Sequence, residues 1–322
     1  PITDTALGSH DVHLTLDASL NETAYAALNG HKGVVAVYDY TTGDIKCLVS
    51  SPSYDPNNPP SDINENSAYE GVYLNRFFSS TYPPGSVFKI ITTAAAIEEK
   101  DDLDQFRYTC TGSLEVGGDV ITCPYAHGAD MDINQCLACS CNGAYATLAM
   151  ELGGSTLAKY VEQAGLLDSL NVNGISTASG SFVAEEDGSA YLGWSGVGQD
   201  KDLVNPCSLL AFMGSIANEG EAVVPNLVGS ETIGGTSLPA ALPDGKDTYE
   251  TYSAETWQRL KEMMRNNVVT EYGQSQFGDL AVCAKSGTAE VGGGAEPHAW
   301  FAGFIDDPDH PLAFVVLVEN GG

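Results

Sequence analysis

The chain has 322 residues, of which 43% are hydrophobic, so it is long enough to fold around a large core divided between two lobes. Acidic residues outnumber basic residues 43 to 13, and the formal net charge of −30 excludes nucleic acid as an expected partner, because a phosphate backbone would be repelled. No apolar run in the sequence is long enough to cross a membrane, and we expect neither a membrane span nor a signal peptide within these residues. The abrupt start at Pro1 is compatible with a fragment cut from a longer, anchored protein.

The first predicted elements are mostly extended. Residues 12–16 alternate between polar and apolar and predict a short strand, and Asp17 is a typical N-cap for a helix that ends near Leu28. The β-rich runs 33–39 and 45–50 flank a polar turn and predict a hairpin. The segment that follows is rich in Pro, Asn and Ser and predicts a loop.

The middle of the chain is predicted to be mainly helical. Its helices are bounded by Gly, Pro or Ser and are predicted over residues 143–152, 155–164, 206–218 and 253–267. The segments between them are predicted to be mostly loop with short extended pieces, over residues 101–139, 168–200 and 225–250.

Three further strands are predicted near the end of the chain, over residues 280–288, 299–305 and 312–319. Early and late strands most simply form one central antiparallel sheet, with helices packed on it and a mainly helical subdomain inserted between them. We therefore predict an α+β fold in residues 1–322. Its sheet lobe is expected to comprise residues 1–60 and 250–322, and its mainly helical lobe residues 61–249.

The stretch from Tyr82 to Glu99 organises this arrangement. Two prolines and Gly85 break the preceding structure, and the helix predicted after them is too apolar for a surface position. Ser86 and Lys89, spaced i and i+3, share one face of its first turn. A helix N-terminus stabilises an oxyanion, and a desolvated lysine has a lowered pKa that suits it to take the serine proton. The pair is thus a candidate nucleophile with its own base.

Taken alone, the spacing Ser-x-x-Lys occurs by chance in many helices, where the serine is an ordinary N-cap. Two further motifs strengthen the hypothesis. One is Ser140-Cys141-Asn142, between a loop and a predicted helix, and the other is Lys285-Ser286-Gly287-Thr288, at the end of a predicted strand. Each of these is weak by itself, but the three together in this order are specific.

In this order the motifs resemble the transpeptidase domain of the penicillin-binding proteins, most closely the class B, monofunctional type, within the serine acyltransferase and β-lactamase-like superfamily. The resemblance covers nearly the whole chain. The sequence departs from the family at Asp200, where the family usually has glycine, and at Pro206-Cys-Ser-Leu, where the family usually has Pro-Leu-Gln-Met. The family's closing helix, N-terminal non-catalytic region and membrane anchor are not found in the sequence. Further segments that resemble the family are Val12-His-Leu-Thr-Leu-Asp17, Gly33-Val-Val-Ala-Val, Thr42-Gly-Asp-Ile45, Ser51-Pro-Ser-Tyr-Asp-Pro-Asn57, Asn75-Arg-Phe, His127-Gly128, Gly196-Val-Gly-Gln199 and Lys285-Ser-Gly-Thr-Ala-Glu290.

The resemblance implies a D,D-transpeptidase that cross-links peptidoglycan stem peptides. Ser86 would attack the carbonyl carbon between two terminal D-alanines, and Lys89 would accept its proton. Ser140 would relay a proton to the leaving amine beside the positive charge of Lys285, and Asn142 would hydrogen-bond the substrate amide. A β-lactam would acylate the same serine and be released slowly.

The resemblance also implies how the substrate is held. Ser286 and Thr288 would bind its terminal carboxylate, since alternate residues of a strand point to the same side. Gly287 would let the substrate lie close against the strand edge. The backbone N–H groups of Ser86 and Thr288 would form the oxyanion hole.

The sequence predicts neither a cofactor nor a metal, although two alternatives for the eight cysteines stay open. Cys110 and Cys123 flank a hairpin-like stretch that a disulfide would close in an oxidising compartment. The spacing of Cys123, His127, Cys136 and Cys139 loosely matches a zinc site. The remaining cysteines in apolar contexts are expected to be buried small hydrophobes: Cys47, Cys207 and Cys283.

Other readings keep the fold and change the reaction. A β-lactamase or β-lactam sensor would need a carboxylate to activate the deacylating water, and Glu151, Glu185 and Glu186 are candidates. A D-Ala-D-Ala carboxypeptidase would use water as the acceptor. A catalytically silent scaffold is the alternative outside enzymes.

The expected partners are stem peptides, β-lactams and a membrane glycan polymerase of the full-length protein. The expected location is the extracytoplasmic face of a bacterial membrane. Division, elongation and sporulation all remain open as the role served.

Overall fold

Antiparallel strands and buried helices make up the computed structural model, which describes residues 10–233, 236–239 and 247–322. Residues 1–9 of the predicted sheet lobe, and residues 234–235 and 240–246 of the predicted 225–250 loop, lie outside the described residues. The α-helices are α1 (Ala18–Leu28), α2 (Arg76–Ser79), α3 (Lys89–Glu99), α4 (Ile133–Ala138), α5 (Asn142–Leu152), α6 (Gly154–Gln163), α7 (Ala190–Ser195), α8 (Pro206–Ala217) and α9 (Ala254–Asn267).

The strands concentrate at the two ends of the chain, with short pairs between them. They are β1 (His10–Leu14), β2 (Gly33–Asp39), β3 (Ile45–Ser51), β4 (Tyr108–Cys110), β5 (Ser113–Val116), β6 (Asp119–Thr122), β7 (Gly128–Met131), β8 (Asn171–Val172), β9 (Ile175–Ser176), β10 (Glu221–Val223), β11 (Val228–Ile233), β12 (Thr236–Pro239), β13 (Thr248–Glu250), β14 (Val282–Ala289), β15 (His298–Ile305) and β16 (Leu312–Val318).

A five-stranded antiparallel sheet in the order β14–β15–β16–β2–β3 is the frame of the fold. Its register pairs Lys285 with Ala302 and Val315 with Ala36, so early and late strands lie side by side. Side chains alternate between the two faces, as the burial along β3 shows. The predicted α+β fold with a central antiparallel sheet is confirmed, whereas the division into lobes at residues 60 and 250 stays a prediction.

The first strand departs from its expected place. β1 ends at Leu14 and pairs with β11 in a separate three-stranded sheet, so the prediction of a strand to residue 16 in the central sheet was wrong. Thr15 leaves the strand because its hydroxyl donates to the Ile45 carbonyl oxygen at 2.7 Å and its backbone N–H to the Leu227 oxygen at 3.0 Å. This residue therefore joins the small sheet to the central one.

Helices cover both faces of the central sheet. On one face, the Asp17 carboxylate caps α1 by accepting from the Leu20 N–H at 2.9 Å, as predicted. On the other face, the hydroxyl of Tyr38 reaches the carbonyl oxygen of Ala211 in α8 at 3.4 Å. Gly214 makes room for that ring, since a Cβ there would lie 1.9 Å from the tyrosine oxygen. None of the helices in the described part of the chain is long and apolar enough to span a membrane.

The helix predicted to organise the chain is buried, as expected. Every residue of α3 from Lys89 to Ala96 is buried, and α5, α6 and α9 pack around it. Its entry differs from the prediction, because residues Gly85–Phe88 form a 3₁₀ turn and the α-helix begins only at Lys89. Side chains at i and i+3 eclipse in a 3₁₀ turn, which brings Ser86 directly over Lys89.

Candidate active site

The first motif sits where the 3₁₀ turn enters α3. Lys89 Nζ lies 2.9 Å from Ser86 Oγ. The lysine is fully buried at 0% exposure, while the serine opens onto a cleft. A buried amine at hydrogen-bond distance from a hydroxyl is the arrangement that a nucleophile and its base require.

The second motif reaches Lys89 from the loop before α5. Lys89 Nζ lies 3.0 Å from Ser140 Oγ, 2.6 Å from the Ser140 carbonyl oxygen and 2.7 Å from Asn142 Oδ1. The Asn142 amide nitrogen donates to the Thr122 carbonyl oxygen at 2.7 Å, so its own oxygen is directed at the lysine. Ser140 has a φ of 57°, in the left-handed region that non-glycine residues seldom occupy. The loop is thus held in an uncommon conformation in which two of its side chains meet one amine.

The third motif lies on β14, the edge strand of the sheet. Lys285 Nζ lies 3.0 Å from Ser140 Oγ, so that hydroxyl bridges the two lysines. Along the strand Lys285 and Gly287 are buried, Ser286 is partly buried and Thr288 is exposed. The alternation places Ser286 and Thr288 on one side of the strand.

Burial dominates the electrostatics of both lysines. Desolvation lowers the pKa of Lys89 to about 7, against a smaller raising effect of nearby thiols. Desolvation and then repulsion from Lys89 hold the pKa of Lys285 well below its ordinary value. At neutral pH a large fraction of Lys89 is therefore a neutral amine that can accept the Ser86 proton.

Glycines allow the turn and the edge strand to touch. Gly85 has a φ of 53°, and a Cβ there would lie 2.4 Å from the Thr288 carbonyl oxygen. A Cβ at Gly287 would lie 3.1 Å from both the Pro84 oxygen and the Val87 nitrogen. The glycine of the third motif therefore makes room for the serine-bearing turn, a reason different from the close substrate approach that we expected.

Backbone direction at the same edge favours the expected oxyanion hole. The Ser286 N–H points out from the open edge, where it donates to the Tyr272 hydroxyl at 2.9 Å. Residues two apart in a strand direct their N–H groups the same way, so that of Thr288 also points off this edge. Its carbonyl oxygen faces Gly85, which places the backbone of Thr288 beside that of Ser86.

All three motifs open onto one cleft of about 420 Å³. Lys89 and Lys285 lie fully buried next to these lining residues. The structure thus brings together, in or beside this cleft, every candidate site residue of the three motifs. The motif residues that line the cleft are Ser86, Ser140, Asn142, Ser286, Gly287 and Thr288.

Sequence analysis missed Tyr272. This residue ends a π-helical turn, Val268–Tyr272, that extends α9, and its hydroxyl lies 3.1 Å from Ser286 Oγ. Its ring stands edge-on to Phe301, with 5.6 Å between centroids. A lone tyrosine separated from the motif by a loop carries no pattern in the sequence, and only the packing of α9 against β14 reveals it.

The cysteines differ from both alternatives left open above. All eight lie within the described residues and are free thiols, so Cys110 and Cys123 are not joined by a disulfide. Cys136 directs its thiol at the Met131 carbonyl oxygen at 3.9 Å, and Cys139 at the Met131 sulfur at 3.9 Å. These two residues therefore do not join Cys123 and His127 in a metal-binding group, so the structure does not support that alternative.

A different group converges instead. The ligand atoms of four residues all lie within 4.8 Å of one another, and these residues are Cys110, Cys123, His127 and Cys141. The cysteines expected to be small buried hydrophobes are fully buried, as predicted: Cys47, Cys207 and Cys283.

Comparison with known proteins agrees with this geometry. The family described as penicillin-binding protein transpeptidase domain matches residues 33–322. The peptidoglycan D,D-transpeptidase PbpA of Mycolicibacterium smegmatis is 31% identical over 97% of this chain and 68% of that protein. Its counterpart in Mycobacterium tuberculosis is 30% identical over 90% of this chain and 62% of that protein. The chain thus spans about two thirds of the length of these curated relatives.

Solved structures give the same result. The ceftriaxone acyl-enzyme complex of penicillin-binding protein A from M. tuberculosis superposes with a TM-score of 0.87 at 26% identity, over 97% of this chain and 75% of that one. The D,D-transpeptidase domain of a peptidoglycan glycosyltransferase from Eggerthella lenta superposes with a TM-score of 0.84 at 25% identity, over 98% of this chain and 79% of that one. The resemblance expected from the motifs is confirmed, and the chain belongs to the penicillin-binding protein transpeptidase domain family.

Proposed function

We propose that this chain cross-links peptidoglycan stem peptides through an acyl-enzyme on Ser86. One observation carries the proposal: a fully buried lysine lies 2.9 Å from Ser86 Oγ and within 3.0 Å of the side chains of Ser140 and Asn142. Family membership confirms the predicted enzyme class, a serine-type D,D-transpeptidase domain.

In the acylation step, Ser86 Oγ attacks the carbonyl carbon between the two terminal D-alanines, and the Oγ proton passes to Lys89 Nζ. The oxyanion lies between the backbone N–H groups of Ser86 and Thr288. The C–N bond then breaks, and the departing amine of D-alanine takes a proton through the Ser140 hydroxyl, which both lysines contact. An ester on Ser86 and free D-alanine result.

In the second step, the amine of a neighbouring stem peptide attacks this ester. A new amide bond forms as the attacking amine gives a proton to Lys89 through the Ser140 hydroxyl, and the ester bond to Ser86 breaks as Lys89 returns that proton to the serine. Binding of the donor peptide rests on Ser286 and Thr288, which share one side of the edge strand, and on the charge of Lys285 nearby. Asn142 lines the cleft, and its amide, which Thr122 and Lys89 hold in place, hydrogen-bonds the substrate amide.

Covalent binding of β-lactams follows from the same step. The acyl-enzyme structures of M. tuberculosis penicillin-binding protein A contain ceftriaxone, imipenem or penicillin G. In this chain the β-lactam carbonyl carbon would accept Ser86 Oγ, and the opened ring would stay attached because no separate amine is released to make room for the acceptor.

Hydrolysis is the competing reaction. Among the carboxylates suggested for activating water, Glu151 pairs with Lys100 at 2.9 Å and Glu185 with Lys201 at 2.7 Å, and neither these nor Glu186 line the cleft. Glu290 does line it. The proposed function therefore predicts a long-lived acyl-enzyme, and rapid release would favour a β-lactamase with Glu290 as its base.

The deciding experiment is the mass of the intact chain after brief incubation with benzylpenicillin, in parallel with Ser86→Ala. We expect one stable adduct on the unmodified chain and none on the variant. Consumption of penicillin without a lasting adduct would favour the β-lactamase. A synthetic donor peptide with an amine acceptor then separates cross-linking from release of D-alanine alone, which would indicate a carboxypeptidase. Absence of any reaction would favour a scaffold.

Acylation is expected to depend on pH through Lys89. Its pKa is lowered to about 7, and only the neutral amine accepts the Ser86 proton. The rate of acylation by a chromogenic cephalosporin should therefore rise about tenfold per pH unit below pH 7 and level off above roughly pH 8. Stopped-flow measurement from pH 5.5 to 9 checks this profile. A rate that does not change across the range would contradict a titrating base at this position.

The predicted setting of the full-length protein is a further proposal. Cross-linking of peptidoglycan takes place outside the cytoplasmic membrane, so the domain is expected at the extracytoplasmic face of a bacterial cell. A membrane glycan polymerase is the expected partner of the full-length protein, because such an enzyme makes the strands that a transpeptidase joins. Co-purification of the full-length protein with that polymerase tests this partner.

A further inference from the structure

Tyr272 lies against the third motif and has no part in the proposed acyl transfer. Its hydroxyl accepts the backbone N–H of Ser286 at 2.9 Å and lies 3.1 Å from Ser286 Oγ. We propose that Tyr272 is a positioning residue that fixes the Ser286 hydroxyl as a hydrogen-bond donor, so that the cleft selects a ligand with a free carboxylate over the corresponding carboxamide. This inference rests on the proposed function, in which Ser286 binds the terminal carboxylate of the donor peptide.

The direction of this hydrogen bond follows from a count of protons. A tyrosine hydroxyl carries a single proton. Because the Tyr272 oxygen accepts the Ser286 N–H, that proton is left to donate, and Ser286 Oγ is its acceptor within hydrogen-bond distance among the residues that the structure describes. Desolvation raises the pKa of Tyr272, so the hydroxyl keeps its proton at neutral pH. The reverse arrangement would leave the phenolic proton without an acceptor, which proteins avoid for buried donors.

The proton of Ser286 is then free to point into the cleft, which this residue lines. A hydroxyl that already accepts one hydrogen bond presents its O–H to a ligand. A carboxylate is the matching group, because its two oxygens only accept hydrogen bonds, and the charge of Lys285 nearby favours an anion. A carboxamide has the same shape, but one of its two positions is an NH₂ donor. The fixed hydroxyl therefore discriminates between two ligand groups of equal size.

Aromatic packing holds the tyrosine ring in place. The ring stands edge-on to Phe301, which is itself stacked on Phe277 and on Phe314 with centroid distances of 6.0 and 5.5 Å. Such contacts favour one orientation of the ring. The hydroxyl of Tyr272 is thus ordered before a ligand arrives, so its bond to Ser286 costs little additional side-chain entropy.

The end of α9 brings the tyrosine to the strand. Asn267 Nδ2 donates to the Ala284 carbonyl oxygen at 3.0 Å, two residues before Ser286 on the open edge of β14. The helix then continues as the π-helical turn Val268–Tyr272, a conformation that is frequent at functional sites. Residues two apart in a strand face the same edge, so Asn267 and Tyr272 cover successive outward positions of β14. The part of the edge that a ligand can reach therefore begins at the Ser286 side chain.

Selectivity between benzylpenicillin and its carboxamide tests the inference. The two compounds share the β-lactam ring and differ only at the carboxyl group. The second-order rate of Ser86 acylation is followed by intact mass for the unmodified chain and for Tyr272→Phe, which keeps the ring and removes the hydroxyl. We expect the ratio of the acid rate to the carboxamide rate to fall about 3- to 10-fold in the variant, the effect of one hydrogen bond. An unchanged ratio would overturn the positioning role, since a general structural defect slows both compounds equally.

Tyr160→Phe is the matched control. The hydroxyl of Tyr160, in α6, also donates to a side chain, Glu99 Oε1 at 2.7 Å, and its ring is buried, but the residue does not line the cleft. This variant should keep the native ratio of the two rates. A fall as large as that in Tyr272→Phe would contradict the proposal, because the loss of any buried tyrosine hydroxyl would then have the same effect.

Ser286→Ala keeps the inference testable where Tyr272→Phe fails to fold. It removes the proposed donor and leaves the tyrosine in place, so the ratio should fall by at least as much, and native selectivity in this variant would rule out Ser286 as the donor. In the double variant, Tyr272→Phe should add nothing to Ser286→Ala, because both changes act through one hydroxyl. Two additive falls would show that Tyr272 acts by another route. Failure of the unmodified chain to react with either compound would count instead against the proposed function.

Discussion

Replacement of Lys89 by methionine is expected to remove acylation while leaving the fold intact. The amine is 2.9 Å from Ser86 Oγ and has no substitute as proton acceptor in the turn, so the rate should fall by a factor of roughly 10² to 10⁴. Methionine has a similar length and fills the same buried volume. The measurement is the rate of penicillin adduct formation followed by mass.

The Lys89→Met variant should lose acylation without losing stability. The pKa of Lys89 is lowered from 10.5 to about 7 in the folded chain, so between these values the unfolded chain binds a proton that the folded chain lacks. The free energy of unfolding of the native chain should therefore rise from pH 7 to pH 10, and this contribution should vanish in the variant. At pH 7 the variant is expected to be at least as stable as the native chain, by urea unfolding.

The exposed lysine of α6 provides the control. Lys159 lies on the surface, where its side chain is 61% exposed, and Lys159→Met should acylate at the native rate. Acylation by Lys89→Met within about tenfold of the native rate would place the base on another group.

Replacement of Gly85 by alanine should be among the most damaging single changes in the chain. The residue has a φ of 53°, and the new methyl carbon would lie 2.4 Å from the Thr288 carbonyl oxygen. The left-handed conformation alone costs a non-glycine residue about 1–2 kcal/mol, and separation of turn and strand should bring the total loss to at least about 3 kcal/mol. Acylation should fall with it, because Ser86 and the third motif on β14 move apart.

Gly118→Ala separates the two causes. Gly118 has a φ of 85°, yet nothing lies within 4 Å of the position of its Cβ. This control therefore carries the conformational cost of about 1–2 kcal/mol without the clash. Thermal unfolding of both variants makes the comparison, and failure of Gly85→Ala alone to fold is the extreme of the expected result. Equal losses in the two would mean that the close contact of Gly85 with β14 is not held in solution.

Local patterns in the sequence predicted most of the regular elements. The hairpin of β2 and β3 follows from two β-rich runs around a polar turn, and the structure pairs them as expected. The Asp17 cap and the buried α3 also follow from neighbours in the sequence. Ser253, the serine expected to bound the helix predicted over residues 253–267, is a partial exception. It occupies the N-cap position of α9, but its hydroxyl lies 3.1 Å from the Thr256 hydroxyl and makes no capping bond.

Contacts between distant segments were predicted less well. β1 joins β11 rather than the central sheet. The sequence could not predict this pairing, because the alternation along a strand shows which face is apolar and not which strand lies beside it. The zinc-like group was misassigned for the same reason. Spacing suggested Cys136 and Cys139, but the turns bring Cys110 and Cys141 to His127 instead.

The sequence by itself determined the order of the three motifs and the contact between Ser86 and Lys89, the candidate nucleophile and base, since the two meet within one turn of backbone. Only the tertiary structure decided that Ser140 bridges two buried lysines, that Tyr272 holds Ser286 and that four ligand atoms converge beside Asn142. The physical reason is the range of the interactions. A local turn is set by adjacent residues, whereas desolvation, ligand geometry and edge contacts depend on segments that meet only after the chain has folded.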